Sequence, residues 1–179
     1  MSEVPSGSWD SPYLENFASH AGRERRTAGE SSASGGGGGG GRDADDAAPA
    51  EVHDWYTTGM ELLSKGSPAA AAQVLQRAAN AEPGSRSIRE ALARAQFDTG
   101  RYEAAAANFA AIVEASPTDD YAHFGLGLAL ARRGEHEAAA EYLALAAAMR
   151  PDRKPYTDAL HQVRATLKYR KQAPGDPPQ

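Results

Sequence analysis

The sequence predicts an all-α fold: an α-solenoid of three helix–turn–helix repeats, closed by a C-terminal capping helix and preceded by a disordered tail. Three observations predict it. Prolines recur at Pro83, Pro117 and Pro151, 34 residues apart twice over, and proline stops a helix because it lacks an N–H and clashes with the preceding turn. Glycines keep the same period at Gly66, Gly100 and Gly134. From about residue 52 the composition turns to alanine, leucine and arginine, and alanine is the best helix former.

Residues 1–51 form the predicted tail. The stretch SSASGGGGGGGRDADDAAPA carries too few apolar groups to offset the entropy of ordering so much glycine. One island differs. In SWDSPYLENFASH, Trp9, Tyr13, Leu14 and Phe17 would share one face of a helix, with Pro12 near its front. It reads as a docking motif for a partner or for the chain's own folded part, against the plainer alternative of aromatics in a floppy tail. The linker between it and residue 51 spans roughly 30 Å as a flexible coil.

Repeat one covers residues 52–85, repeat two 86–119 and repeat three 120–153. Alanines recur at Ala71, Ala105 and Ala139, bulky side chains at Leu75, Phe109 and Leu143, and small ones at Gly59, Ala93 and Gly127. Small columns let two helices approach closely, and large columns fill the space between neighbouring pairs. Residues 154–171 follow as the cap. Tyr156, Leu160, Val163 and Leu167 make one apolar stripe, while His161, Arg164, Lys168 and Lys171 fall largely off it. A solenoid's last repeat leaves an apolar face that such a helix covers. Residues 172–179 are a loose, disordered end.

This pattern resembles the tetratricopeptide repeat family, whose period is 34 residues. The matching positions are Trp55, Gly59, Leu62, Ala71, Leu75, Ala78 and Pro83 in repeat one. In repeat two they are Leu92, Ala93, Ala105, Phe109, Ile112 and Pro117, and in repeat three Leu126, Gly127, Leu130, Ala139, Leu143, Ala146 and Pro151. Gln96 departs from the expected aromatic or leucine, and Arg89 and His123 stand where repeat one has Trp55. The resemblance implies a right-handed solenoid, and alanine and arginine usage suggests a small, three-repeat bacterial member from a GC-rich genome. It also implies a concave groove lined by the first helix of each repeat, and a partner protein or peptide bound there. By register the groove-facing positions include Tyr56 and Met60 from repeat one, Arg94 and Phe97 from repeat two, and Tyr121, Phe124 and Leu128 from repeat three. The family's carboxylate clamp for chaperone tails needs lysine, asparagine and arginine at positions that here hold Tyr56, Met60, Ala91, Tyr121 and Gly125. A chaperone-tail adaptor is therefore disfavoured. An aromatic, apolar groove with Arg94 as one cation suits an amphipathic helix or an apolar peptide.

No residue pattern points to catalysis, a metal or a cofactor. There is no cysteine, so no thiolate ligand or nucleophile. The five histidines form no HExxH pair and read as surface helix residues. GLGLA at Gly125–Ala129 lacks the third glycine and the preceding strand of a phosphate loop, so helix packing explains it better. The net charge of −5 argues against a general nucleic-acid binder. The start has no signal-peptide pattern and no run is long and apolar enough to span a membrane, so a cytoplasmic protein is expected. The expected function is non-catalytic protein–protein interaction, with the tail as a regulator. The alternatives are an oligomerisation or scaffold module, and a nucleic-acid or membrane accessory using the basic stretch RATLKYRK.

Overall fold

The computed structural model describes residues 49–172. Within them the chain forms seven helices and no strand. These are α1 (Pro49–Ser64), α2 (Pro68–Ala81), α3 (Arg86–Asp98), α4 (Tyr102–Ala115), α5 (Asp120–Arg132), α6 (His136–Met149) and α7 (Lys154–Gln172). Helix α1 starts at Pro49, inside the segment expected as tail, because proline suits a first helical turn. The tail motif at Trp9, Tyr13, Leu14 and Phe17 lies outside the described residues, as do residues 173–179.

Two kinds of turn alternate. The first ends α1, α3 and α5 with a left-handed glycine: Gly66, Gly100 and Gly134 have φ of 71°, 78° and 85°. Glycine takes this conformation without a Cβ penalty. The next residue's N–H then reaches back to the helix, from Ser67 to Leu62 O (2.8 Å), Arg101 to Gln96 O (2.8 Å) and Glu135 to Leu130 O (3.0 Å). These bonds close the last turn as a Schellman motif and satisfy carbonyls that would otherwise be orphaned. The second kind ends α2, α4 and α6 at Glu82, Ser116 and Arg150, each directly before a period-34 proline. Their ψ angles of 74°, 81° and 74° lie outside the helical region, because a following proline ring excludes it.

Each helix packs chiefly on its neighbours in the chain, and the odd-numbered helices also touch one another in series. Leu75, Phe109 and Leu143 are fully buried. They sit against the small-residue columns so closely that a Cβ on Gly59 would lie 2.5 Å from Leu75, one on Gly125 2.5 Å from the Phe109 ring, and one on Gly127 2.6 Å from Leu143. The GLGLA stretch is thus a helix–helix contact inside α5. Helix α7 buries Tyr156, Ala159, Leu160 and Val163, and leaves His161, Arg164, Lys168 and Lys171 exposed.

Helix α5 is buried on every side from Tyr121 to Ala131. Two adjacent acids at its start tie it to the helices either side. Asp119 caps it, accepting from the Ala122 N–H (3.0 Å), and pairs with Arg86 of α3 (2.7 Å). Asp120 accepts a hydrogen bond from the Tyr156 hydroxyl of α7 (2.8 Å). His123 is not a surface residue: it is 4% exposed, its Nδ1 lies 2.8 Å from Asp119 O, and its ring faces Tyr142 of α6. It occupies the Trp55 column, which points at the second helix of its own repeat. Trp55 itself lies under the guanidinium of Arg77 of α2, 4.5 Å away.

Gly125→Ala should destabilise by about 1–3 kcal/mol through overpacking against Phe109. Gly84 has open space around its Cβ position and no left-handed φ, so Gly84→Ala should be neutral or stabilise by up to about 1 kcal/mol. Denaturant unfolding of the two variants checks both signs.

Candidate functional site

The residues expected on the concave face lie on the first helices of the repeats, α1, α3 and α5. Tyr56 and Met60 of α1 are half-buried and pack beside the cluster that includes Leu63, Ala91 and Ala95. A cavity of about 280 Å³ opens next to Tyr56, lined also by Val52, His53, Ser87 and Ile88. The other five are more deeply placed than an open groove would leave them. Arg94 is 8% exposed, Phe97 6%, Tyr121 5%, Phe124 1% and Leu128 4%.

The contacts give the physical reason for several of these. Phe124 stacks on Tyr156 of α7, with centroids 4.4 Å apart. Tyr121 meets Phe109 of α4 edge-on at 6.3 Å. Phe97 meets Tyr102 edge-on at 5.3 Å, and the guanidinium of Arg132 lies 5.9 Å from Phe97 and 5.7 Å from Tyr102. These aromatic side chains therefore join neighbouring helices.

Arg94 differs from its neighbours in being a buried cation. Its Nε is buried with no hydrogen-bond partner. One turn further along α3 is Asp98, whose Oδ1 is likewise buried without a partner. Burial pushes the Asp98 carboxyl up from 3.8 to about 6, against the opposing pull of Arg94. Burial also holds the Tyr121 phenol well above its ordinary range, with Glu90 adding to the effect. Burial and the hydrogen bond to Asp120 do the same for Tyr156.

Sequence reasoning missed Asp98, Arg132 and Tyr156 as members of this region. A signal existed for the first two: Ser64, Asp98 and Arg132 share one period-34 column, a turn beyond Met60, Arg94 and Leu128. Gln96, the apparent departure in repeat two, is 3% exposed and accepts a hydrogen bond from the Asn108 amide at 2.8 Å. A polar pair replaces an apolar contact there. At the clamp positions, Ala91 and Tyr121 are buried, and the space beside Gly125 is filled by the Phe109 ring. Among the described residues no group of three His, Asp or Glu side chains is placed to hold a metal, and no helix is long and apolar enough to cross a membrane.

Because the folded state binds a proton at Asp98 more tightly than the unfolded chain does, Asp98 favours folding most below its ordinary value of 3.8 and loses that contribution as pH rises through about 6. Asp98→Asn should therefore gain on the wild type in stability between pH 4 and pH 7, as urea unfolding at several pH values would show. A constant difference between the two proteins would refute this.

A tetratricopeptide repeat model matches residues 56–120 and 91–154, together spanning more than half of the 179 residues. No curated protein sequence matches significantly. Among solved structures, the first repeat domain of Spaghetti (RPAP3), bound to the HSP90 peptide SRMEEVD, is 16% identical. It has a TM-score of 0.62 and covers 66% of this chain and 94% of its own. The second such domain of human RPAP3, in complex with the HSP70 peptide SGPTIEEVD, is 16% identical, with a TM-score of 0.60, covering 64% and 96%. The Sgt2 repeat domain from Aspergillus fumigatus is 17% identical, with a TM-score of 0.64, covering 78% and 93%. At these identities the likeness speaks to the fold. With the repeat model matched over most of the helical region and the same helix-pair architecture in its structure, the chain belongs to the tetratricopeptide repeat family.

Proposed function

We propose that the chain is a non-catalytic protein-interaction module, receiving a helix or extended peptide of another protein against the concave face of α1, α3 and α5. The observation that carries this reading is Arg94: a cation 8% exposed, its Nε unpartnered, one turn before Phe97 on α3 and near enough to Tyr121 to act on its phenol. Aromatic side chains with a desolvated arginine are what binding hot spots are made of. Two structurally similar domains carry bound peptides, which supports the general activity. The residues at the five clamp positions here argue for a different ligand from an acidic chaperone tail. The segment with Trp9, Tyr13, Leu14 and Phe17 is proposed as a competitor for the same face.

Affinity capture from native lysate tests both parts, with three baits: the full chain, the chain lacking residues 1–20, and the full chain with Tyr56→Ala and Met60→Ala. These two side chains keep partial exposure at the edge of the core, and circular dichroism of the variant checks that it folds. A partner held by the full chain, lost by the double variant and enriched by the deletion is the expected result. The same list from all three would refute the reading.

A second reading, contact with an anionic surface, is favoured by α7. His161, Arg164, Lys168 and Lys171 are exposed along it, and Tyr169 beside them is 71% exposed. If it holds, retention on heparin falls steeply with salt and is lost when Arg164, Lys168 and Lys171 are changed to glutamine. Retention that the variant keeps would dismiss it.

A further inference from the structure

A hollow of about 700 Å³ opens at the glycine-turn end of the array, between the start of α4 and the end of α5. Three of the side chains around it are cations: Arg101, Arg132 and Arg133. Glu103 is the one acid among its lining residues, and Tyr102 and Ala107 supply apolar surface. The cations are held in different ways. The guanidinium of Arg132 lies over the rings of Tyr102 and Phe97, at 5.7 Å and 5.9 Å. Arg133 pairs with Glu135 at 3.0 Å. Arg101 is exposed, and its side chain forms no ion pair among the described residues.

The internal repeat shows that the fold does not require these cations. The same corner occurs one repeat earlier, and the residues 34 positions back are Ser67, Asp98 and Thr99. The glycine turn is nevertheless the same. Gly66 and Gly100 have φ of 71° and 78°, and the following N–H, of Ser67 or Arg101, reaches its helix carbonyl at 2.8 Å in both. Stacking accounts for Arg132 and leaves the other two arginines without a structural task at the turn. Like charges gathered round one hollow repel, which favours an anion there.

Charge also narrows which anion. Arg101, Arg132 and Arg133 stand against Glu103 and the Glu135 that pairs with Arg133, three against two, or +1. A carboxylate brings this to zero and matches the planar fork of a guanidinium. A phosphate monoester, with nearly two charges, overshoots and comes against Glu103. We propose that this corner is a second binding site, taking an acidic segment of a partner protein. An aspartate or glutamate carboxylate of that segment is received among Arg101, Arg132 and Arg133, with a neighbouring apolar residue laid over Tyr102 and Ala107. The site does not depend on what the concave face binds.

The test is a titration of the full chain with a short, end-capped peptide of alternating glutamate and alanine, followed by backbone amide NMR. Control peptides carry glutamine, lysine or phosphoserine in place of glutamate. The glutamate peptide should shift the amides of Arg101, Tyr102, Arg132 and Arg133, bind more tightly than each control, and weaken as salt is added. Arg101→Ser with Arg133→Thr restores what repeat one holds at this turn, and should lower affinity about fivefold while amides elsewhere stay in place. Glu103→Gln should raise affinity about twofold, a gain that a merely structural role for Glu103 would not produce. Equal binding of the glutamate and glutamine peptides, tighter binding of the lysine or phosphoserine peptide, or shifts confined to α7 overturns the proposal. So does unchanged affinity in the double variant, or no shift with any peptide.

Discussion

The structure depends on how closely its helices are allowed to approach. At Gly59, Gly125 and Gly127 the missing Cβ is replaced by part of Leu75, Phe109 and Leu143. Each large side chain thereby disappears completely from solvent. Burying a leucine or phenylalanine is worth about 1.5–3 kcal/mol. That gain is available only because the opposing helix offers backbone where another helix would offer a side chain. Gly59 and Gly127 set the spacing within a repeat, and Gly125 against Phe109 sets it between repeats two and three. The alternating turns then return each helix to its neighbour. The left-handed glycines and the helix-stopping prolines do this by different means, one permitting a conformation and the other forbidding one.

Helix α5 is where these constraints meet. Its two leading acids have opposite assignments, Asp119 toward α3 and Asp120 toward α7. Its aromatic residues do likewise, Tyr121 toward α4 and Phe124 toward α7. The face proposed for binding therefore shares residues with the contacts that hold the helices together. Such a face is pre-organised, which limits the ordering cost of binding. Arg94 and Asp98 break the pattern, since each keeps a buried polar atom without a hydrogen-bond partner.

The period-34 columns made the solenoid legible, because each column answers one geometric need repeated three times. Glycine at the turn, proline after the second helix and a small residue opposite a large one all leave a trace in sequence. The candidate face was legible only as a set of positions. Register proposed Tyr56, Met60, Arg94, Phe97, Tyr121, Phe124 and Leu128 for it, and said nothing of their depth. Depth depends on what stands across from them, as Tyr156 does for Phe124, and that is a relation between segments distant in the chain. His123 was misread for the same reason. A histidine on a helix looks solvated until the second helix of its repeat supplies Tyr142 and the preceding turn supplies a carbonyl.

Helix α7 has a further consequence. Among the described helices it leans chiefly on α6 and to a lesser extent on α5. In an array held together by neighbour contacts, free energy is distributed unevenly along the axis, and terminal elements open more readily than central ones. The stacking of Tyr156 on Phe124 and its hydrogen bond to Asp120 are therefore entrusted to an element with comparatively few supports. A brief detachment of this one helix uncovers an aromatic ring and a carboxylate together. Amide exchange protection in α7 would record how often that happens.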